Sequence, residues 1–299
     1  MINKNILIFG GLGFIGKSLA ERLYINNNIF IIDNNRKKNI NHHSNIKIIK
    51  SAIEDLRGYK HILQKIDYIF HFAGYVGKNL ELKESELIIK EIKSFYSISK
   101  ILEKNPKVKI VYASSCQVYG INKNILKAKE SDPLLANTSY GISKIIAEFI
   151  LKDLSRRYNV PIACLRFFNV YGPRQSLDMA IPNFINKAKK NLDITIHGNG
   201  HQIRDFLYID DCTKIIIKVA KKINKYEIIN VPGAESINIK NLVKLIINLT
   251  NSKSKIIYKK IDPKSQILRS VGDKKKLMSF LNFKPSVKLK DGIIKVINE

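Results

Sequence analysis

The opening stretch of the sequence constrains the fold more than any other. An apolar run, Ile6–Phe9, leads into Gly10-Gly11-Leu12-Gly13-Phe14-Ile15-Gly16, and apolar residues then recur at helical spacing through Phe14, Leu19 and Leu23. A short apolar run followed by glycines and a 3.6-residue period reads as strand, tight turn and helix. Glycine at positions 10, 13 and 16 permits the positive φ of such a turn and leaves no Cβ to keep a ligand away. The N–H groups and positive dipole end of the following helix suit a pyrophosphate. A glycine triplet alone also fits a plain turn; a strand before it and a helix after it are the context of a dinucleotide site.

The same alternation continues. Apolar strands are expected at Ile29–Ile32, Ile46–Ile49, Tyr68–Phe72, Lys109–Ala113 and Pro161–Phe167, with long helices at Leu82–Lys104 and Ser139–Tyr158. Strands alternating with helices predict βαβ units and a parallel sheet covered on both faces. After Gly172-Pro173 the elements shorten and turn signals crowd together, as in His197-Gly198-Asn199-Gly200 and Pro232-Gly233. The expected fold class is therefore α/β: a doubly wound parallel Rossmann sheet over residues 1–175 and a smaller C-terminal lobe over 176–299, some segments of which return to the sheet. Such a pair of lobes makes a cleft at its interface.

Composition narrows the classes. Hydrophobic residues make up 45% of the 299 and charged residues 26%, too apolar for a chain that stays disordered. Lys and Arg number 52 against 25 Asp and Glu, a formal net charge of +27. A nucleic-acid binder gathers such charge on one face. Here the basic residues are scattered, with only short clusters such as Arg36-Lys37-Lys38, Lys189-Lys190 and Lys274-Lys275-Lys276. Abundant Ile, Asn and Lys fit a general compositional bias, so neither nucleic acid nor membrane is expected as a partner. Cys116, Cys164 and Cys212 show no CxxC and no metal-ligand spacing, which fits a reduced, cytoplasmic setting and no metal. No apolar run reaches the about 20 residues of a membrane span, and with the first strand so near Met1 no signal peptide is expected.

Asp33 closes the second strand. A carboxylate there accepts hydrogen bonds from adenosine ribose hydroxyls and repels a 2′-phosphate, which favours NAD over NADP; Arg36 and Lys37 moderate that repulsion. As a local feature, Asp33-Asn34-Asn35 is also a turn signal. Further on, Tyr140 and Lys144 stand i and i+4, on one face of a helix. An ammonium beside a phenol lowers its pKa from about 10 and makes it a usable acid/base near neutrality. The spacing alone is common. It gains weight from Val111–Gly120, a strand ending in Ser114 and Ser115, where an open α/β sheet places its ligands. Ser115 is positioned to hydrogen-bond the reacting oxygen; as local structure, both serines also serve to cap a strand end.

Together these segments resemble the extended short-chain dehydrogenase/reductase family, and within it the NAD-dependent nucleotide-sugar epimerases and dehydratases, most of all the UDP-glucose 4-epimerase type. The resemblance runs through Gly10–Gly16, Asp33-Asn34, His71-Phe72-Ala73-Gly74, Ala113–Gly120, Tyr140–Lys144, Arg166–Arg174, Gly198–Asp211 and Asn230–Gly233. It implies Ser115, Tyr140 and Lys144 as the catalytic set. It implies an NAD site made by Gly10, Gly13, Phe14, Ile15 and Gly16, by Asp33, Asn34 and Ile53, and by Phe72, Ala73, Gly74, Ser114 and Phe168, together with Tyr140 and Lys144. Ser115, Asn169, Arg204, Phe206 and Arg269 are the implied contacts to a nucleotide sugar, a UDP-sugar first, with Arg204 on the pyrophosphate. The implied reaction is epimerisation through a 4-keto sugar, and the implied assembly is a homodimer paired through the two long helices.

The chain also departs from this pattern. Relatives that dehydrate or decarboxylate carry acidic residues before Val-Tyr-Gly; here Cys116-Gln117 stand there, which argues against both reactions. Ala52 replaces an adenine-contacting Asp, with Asp55 nearby, Glu91 replaces a helix Asn, and Val76 replaces a Lys of the galactose epimerases. Arg269 stands in for a second pyrophosphate Arg out of its usual register. These departures keep open an NAD(P)-dependent reductase of a 4-keto-6-deoxy nucleotide sugar, and the +27 charge a non-catalytic cofactor or nucleic-acid binder.

Overall fold

A computed structural model describes residues 1–34, 40, 43–55, 60–74, 84–121, 126–261 and 267–299. Arg36, Lys37, Lys38 and Val76 lie outside the described residues. In chain order, the first half contains β1 (Asn5–Phe9), α1 (Phe14–Leu23), β2 (Asn28–Asp33), β3 (Ile46–Lys50), α2 (Lys60–Leu63), β4 (Tyr68–His71), α3 (Glu84–Leu102), β5 (Lys109–Ser115), α4 (Ser139–Tyr158) and β6 (Ile162–Phe167). Then follow β7 (Asn169–Tyr171), α5 (Ala180–Lys189), β8 (Ile194–His197), β9 (Ile203–Tyr208), α6 (Ile209–Lys222), β10 (Glu227–Val231) and β11 (Glu235–Asn238). The chain ends with α7 (Ile239–Leu249), β12 (Ile256–Lys259), β13 (Arg269–Ser270), α8 (Lys275–Leu281) and α9 (Leu289–Ile297).

A seven-stranded sheet in the order β10-β6-β5-β4-β1-β2-β3 forms the centre, and every pairing in it is parallel. The period of two that hides in these continuous apolar runs sorts their residues to opposite faces. Ile6 and Ile8 pack on one side with Leu19 and Leu23 of α1 and Ile215 and Ile216 of α6. Leu7 and Phe9 pack on the other with Phe95 and Ile98 of α3 and Leu151 and Leu154 of α4. The result is a Rossmann sheet with helices on both faces. Its outer strand β10 comes from the second half of the chain and lies beside β6. The rest of that half forms small sheets: β7, β11 and β13 all pair with β9, and β8 pairs with β12.

The strand order reverses between β1 and β4. From β1 the chain winds outward to β2 and β3, then crosses to β4 on the other side. The loops after β1 and β4 therefore diverge and open a crevice at the carboxyl ends of the strands, where such sheets bind ligands. Gly10 at φ 73 makes the turn, and its N–H bonds the Ile32 carbonyl at 2.9 Å. A Cβ there would lie 2.5 Å from the Ala73 backbone nitrogen, so the two loops touch only because residue 10 is glycine. Gly16 answers the same need inside α1, where a Cβ would meet the Gly10 carbonyl at 2.4 Å.

Candidate active site

The crevice holds a cleft of about 260 Å³ lined by Gly10 and Gly13, by Asp33 and Asn34, by Ala52, Ile53 and Glu54, by His71 to Gly74, and by Lys90, Glu91 and Ser94. Asp33 closes β2 beside the glycine turn and accepts the Leu12 N–H at 2.9 Å. The first helical bond of α1 runs from Lys17 N–H to the Gly13 carbonyl, so the N–H groups of Phe14, Ile15 and Gly16 precede the helix's own ladder. The N-cap, Gly13, offers no side-chain acceptor to them. Glycine cradle, orphan N–H groups and a carboxylate at the strand end suit the pyrophosphate and adenosine ribose of NAD. The side chains of Phe14 and Ile15 turn away and pack on the core, because the helix phase that presents their N–H groups aims their Cβ atoms backward. At the position read as an adenine contact, Glu54 lines the cleft rather than Asp55.

Tyr140 and Lys144 stand on α4, whose start is fixed by Thr138. Its Oγ1 accepts the Gly141 N–H at 3.0 Å and donates to Gln117 Oε1 at 3.1 Å. Lys144 is buried, and its Nζ lies 5.5 Å from the centre of the Tyr140 ring. A Cβ built on Gly74 would come 3.3 Å from that Nζ, which sets the ammonium against the cofactor cleft. Ser115 ends β5, and its Oγ accepts the Gln117 N–H at 3.2 Å.

The electrostatics differ from the expectation drawn from Tyr140 and Lys144 alone. The Tyr140 phenol is held above its ordinary value, first by burial and then by the Glu91 carboxylate. Lys144 and the nearby Ser115 pull the other way and do not prevail. The reason is that Lys144 is paired: its Nζ donates to Glu91 Oε1 at 2.9 Å and to the Tyr112 hydroxyl at 2.8 Å, and Tyr112 in turn donates to the same carboxylate oxygen. Burial works against the charge on Glu91, but Lys144, His71 and the Tyr112 hydrogen bond together hold its carboxyl below the ordinary range.

A second pocket, of about 130 Å³, begins at Cys116, the residue after Ser115. Cys116, Gln117, Phe168, Asn169, Arg204 and Arg269 are among the residues that line it. Arg204 donates to the carbonyls of Ile203 and Ile267 at 2.8 and 2.7 Å, and among the described residues it has no carboxylate partner. Burial lowers its pKa, a sign of a cation held without a counter-charge. Arg269 reaches the same pocket from β13, its Nε on the Leu126 carbonyl at 2.7 Å. Asn169 is oriented by its Nδ2 on the Asp205 carbonyl at 2.8 Å. Two guanidinium groups converging on one hollow suit a diphosphate.

Phe168, Phe206 and Ser114 do not line the hollow expected for them. Phe168, expected beside the dinucleotide, lines the second pocket, because the chain turns between β6 and β7. Phe206, expected beside the nucleotide, is buried in the core and meets Tyr171 edge-on at 6.1 Å. Ser114 turns its hydroxyl to Glu148 at 2.5 Å, since alternate residues of β5 face opposite sides. Sequence reasoning missed Tyr112 and Glu148. Glu148 grips Arg166 at 2.7 and 2.9 Å, and both are buried. Tyr140, Lys144 and Glu148 repeat at i, i+4 and i+8, and that single face was the available signal.

A family model described as the NAD dependent epimerase/dehydratase family matches residues 6–232. The chain is 33% identical over 309 residues to a putative UDP-glucose 4-epimerase of Methanocaldococcus jannaschii, covering 98% of this chain and 97% of that protein. It is 30% identical over 316 residues to a UDP-N-acetyl-alpha-D-glucosaminuronate decarboxylase of Bacillus cytotoxicus, covering 99% and 97%. Among solved structures, a UDP-N-acetylglucosamine 4-epimerase from Methanobrevibacter ruminantium in complex with UDP-N-acetylmuramic acid superposes with a TM-score of 0.89 at 30% identity, covering 100% of this chain and 98% of that one. The UDP-glucuronic acid 4-epimerase of Bacillus cereus, in complex with UDP-glucuronic acid and NAD, gives 0.86 at 26% identity, covering 98% of both chains. With its glycine turn, its Tyr140–Lys144 helix and this likeness along its whole length, the chain belongs to the NAD dependent epimerase/dehydratase family.

Proposed function

We propose that the protein is an NAD-dependent nucleotide-sugar 4-epimerase, with a UDP-hexose as substrate and a 4-keto sugar as intermediate. What supports the reading is the Tyr140–Lys144 pair, whose ammonium stands against Gly74 of the dinucleotide cleft, and Ser115, next in the chain to Cys116 and Gln117, which line the two-arginine pocket and supply no carboxyl group. Dehydration and decarboxylation both call for an acid at that point.

NAD, when bound, supplies a hydride acceptor that becomes the donor for the return. The chain's own residues handle the proton and the geometry. Tyr140 Oη takes the proton of the sugar 4-hydroxyl as the carbonyl forms, and returns it to the opposite epimer. Ser115 hydrogen-bonds the same oxygen, and Lys144 stabilises the phenolate. Arg204 and Arg269 hold the diphosphate, so the keto ring turns over without leaving. Asn169 orients the sugar side of the pocket.

We also assign residues 1–175 to cofactor binding and 176–299 mainly to substrate. Further, we propose a homodimer and a cytoplasmic setting. Ile89, Ile92 and Tyr96 on α3 and Ile142 and Phe149 on α4 are 40–64% exposed and follow helical spacing, which gives the two helices an apolar outer stripe. Three free thiols fit a reducing compartment. Among the described residues no helix is long and apolar enough to cross a membrane.

The test is incubation with UDP-, dTDP-, GDP- and CDP-sugars without added cofactor, followed by sugar-nucleotide chromatography. Interconversion of 4-epimers with no net change in NADH is the expected result. Net NADH or NADPH consumption without interconversion would overturn it in favour of a keto-sugar reductase.

A further inference from the structure

Glu91 is a buried charged side chain that the proposed mechanism does not use, although it lies in the same site. It stands on α3, 4% exposed, and lines the cofactor cleft. Its Oε1 accepts from Lys144 Nζ at 2.9 Å and from the Tyr112 hydroxyl. Its backbone carbonyl accepts from Ser94 Oγ at 2.7 Å, and Ser94 Oγ lies 3.0 Å from His71 Nε2. Since Ser94 commits its proton to that carbonyl, the His71 Nε2–H donates to Ser94. Tyr112 of β5 and Lys144 of α4 thus hold the carboxylate itself, while Ser94 and, through it, His71 of β4 hold the backbone beneath it. A buried carboxylate would be costly if it did not face this cation.

We propose that Glu91 is a positioning residue for the Tyr140–Lys144 pair: its buried carboxylate fixes the Lys144 ammonium beside the phenol and offsets its charge, so that Tyr140 faces an ion pair instead of a lone cation. The proposal rests on the reading of Tyr140 as the acid/base. The groups that face Glu91 leave Lys144 as the dominant charge. His71 on β4 is neutral at ordinary pH, because burial pushes its pKa down to about 4. Tyr112 on β5 stays protonated, since burial and then Glu91 raise it. Tyr140 and Lys144 approach from α4, and Lys90 on α3 lines the cleft beside it. The Tyr140 phenol is raised first by burial and next, with Lys144 opposing, by Glu91. In the cofactor-free protein the phenol therefore keeps its proton.

The experiment is a tyrosinate absorbance titration of cofactor-free protein, with Tyr140 isolated by subtracting the matching Tyr140→Phe protein. It is run for wild type, Glu91→Gln and Glu91→Asp, alongside pH profiles of kcat/KM. Glu91→Gln keeps the hydrogen bonds and deletes the charge, and one neighbouring charge is worth an order-of-magnitude change in a buried titration. It is expected to raise the proton concentration at the Tyr140 midpoint at least about threefold, moving it to lower pH. The low-pH limb of kcat/KM should move with it, while KM for the nucleotide sugar stays within about twofold. Glu91→Asp, which restores the charge, should return both towards wild type. An unchanged midpoint in Glu91→Gln, or equal behaviour of the Gln and Asp proteins, overturns the proposal. Should Glu91→Gln not fold, the wild-type titration decides: a Tyr140 proton lost below the pH of free tyrosine overturns it as well. Failure of the Tyr140 reading itself is separate, because it would appear as undiminished turnover in Tyr140→Phe.

Discussion

Replacing Tyr140 with Phe removes one oxygen and keeps the ring. If that oxygen carries the proton, kcat should fall by roughly 10²–10⁴ while KM for the nucleotide sugar changes little. Steady-state kinetics on the substrate identified by chromatography measure this. Asp205 makes a different kind of prediction. Its carboxyl is 1% exposed, and burial raises its pKa to about 6, against the Gly272 N–H that it accepts at 2.8 Å and the lysines around it. The folded protein therefore binds this proton more tightly than the unfolded chain, whose reference value is 3.8. The stability that follows is complete below pH 3.8 and is lost as pH rises through about 6. Asp205→Asn keeps an acceptor for Gly272 and deletes the charge. Thermal melts should show it more stable than wild type at alkaline pH, by on the order of 2 kcal/mol, with the difference closing in acid.

At the scale of elements, the start of α4 carries the chemistry. Thr138 caps the helix and ties it to Gln117. Loss of such a cap costs about 1 kcal/mol. Thr138→Ala should lower the melting temperature accordingly and reduce kcat severalfold as the turn bearing Tyr140 frays; Thr138→Ser should restore both. Melts and kinetics on the two variants check this. The sequence made these elements readable to different degrees. The turn between β1 and α1 was plain because strand, glycines and helix signal one another locally. Helix α4 ends at Tyr158 as expected, and Asn159 takes the left-handed conformation at φ 51 that closes it. What stayed hidden depends on contacts distant in sequence. Glu91 and Lys144 are far apart in the chain, and although each was singled out in the sequence, nothing local pairs one with the other until α3 packs on α4. Phe206 was expected beside the nucleotide from the resemblance alone, and nothing local distinguishes an aromatic that faces a pocket from one that faces a core.

For the whole molecule, the apolar stripe of α3 and α4 predicts an assembly. Light scattering should give twice the 34.2 kDa chain mass, and Phe149→Glu, at a side chain 64% exposed, should shift the protein towards monomer without lowering its melting temperature as a core change would. A single chain mass for the wild type would remove the dimer. A final consequence follows from β10. The last position of the central sheet is filled by a strand delivered after α5, β8, β9 and α6, so the two halves of the polypeptide are stitched through one another. A gene fragment stopping near residue 175 would leave β6 with bare peptide groups along its outer side, a surface that recruits other copies into aggregates. Cutting the chain between its halves should thus yield insoluble product from either piece, and intact protein should melt in one transition.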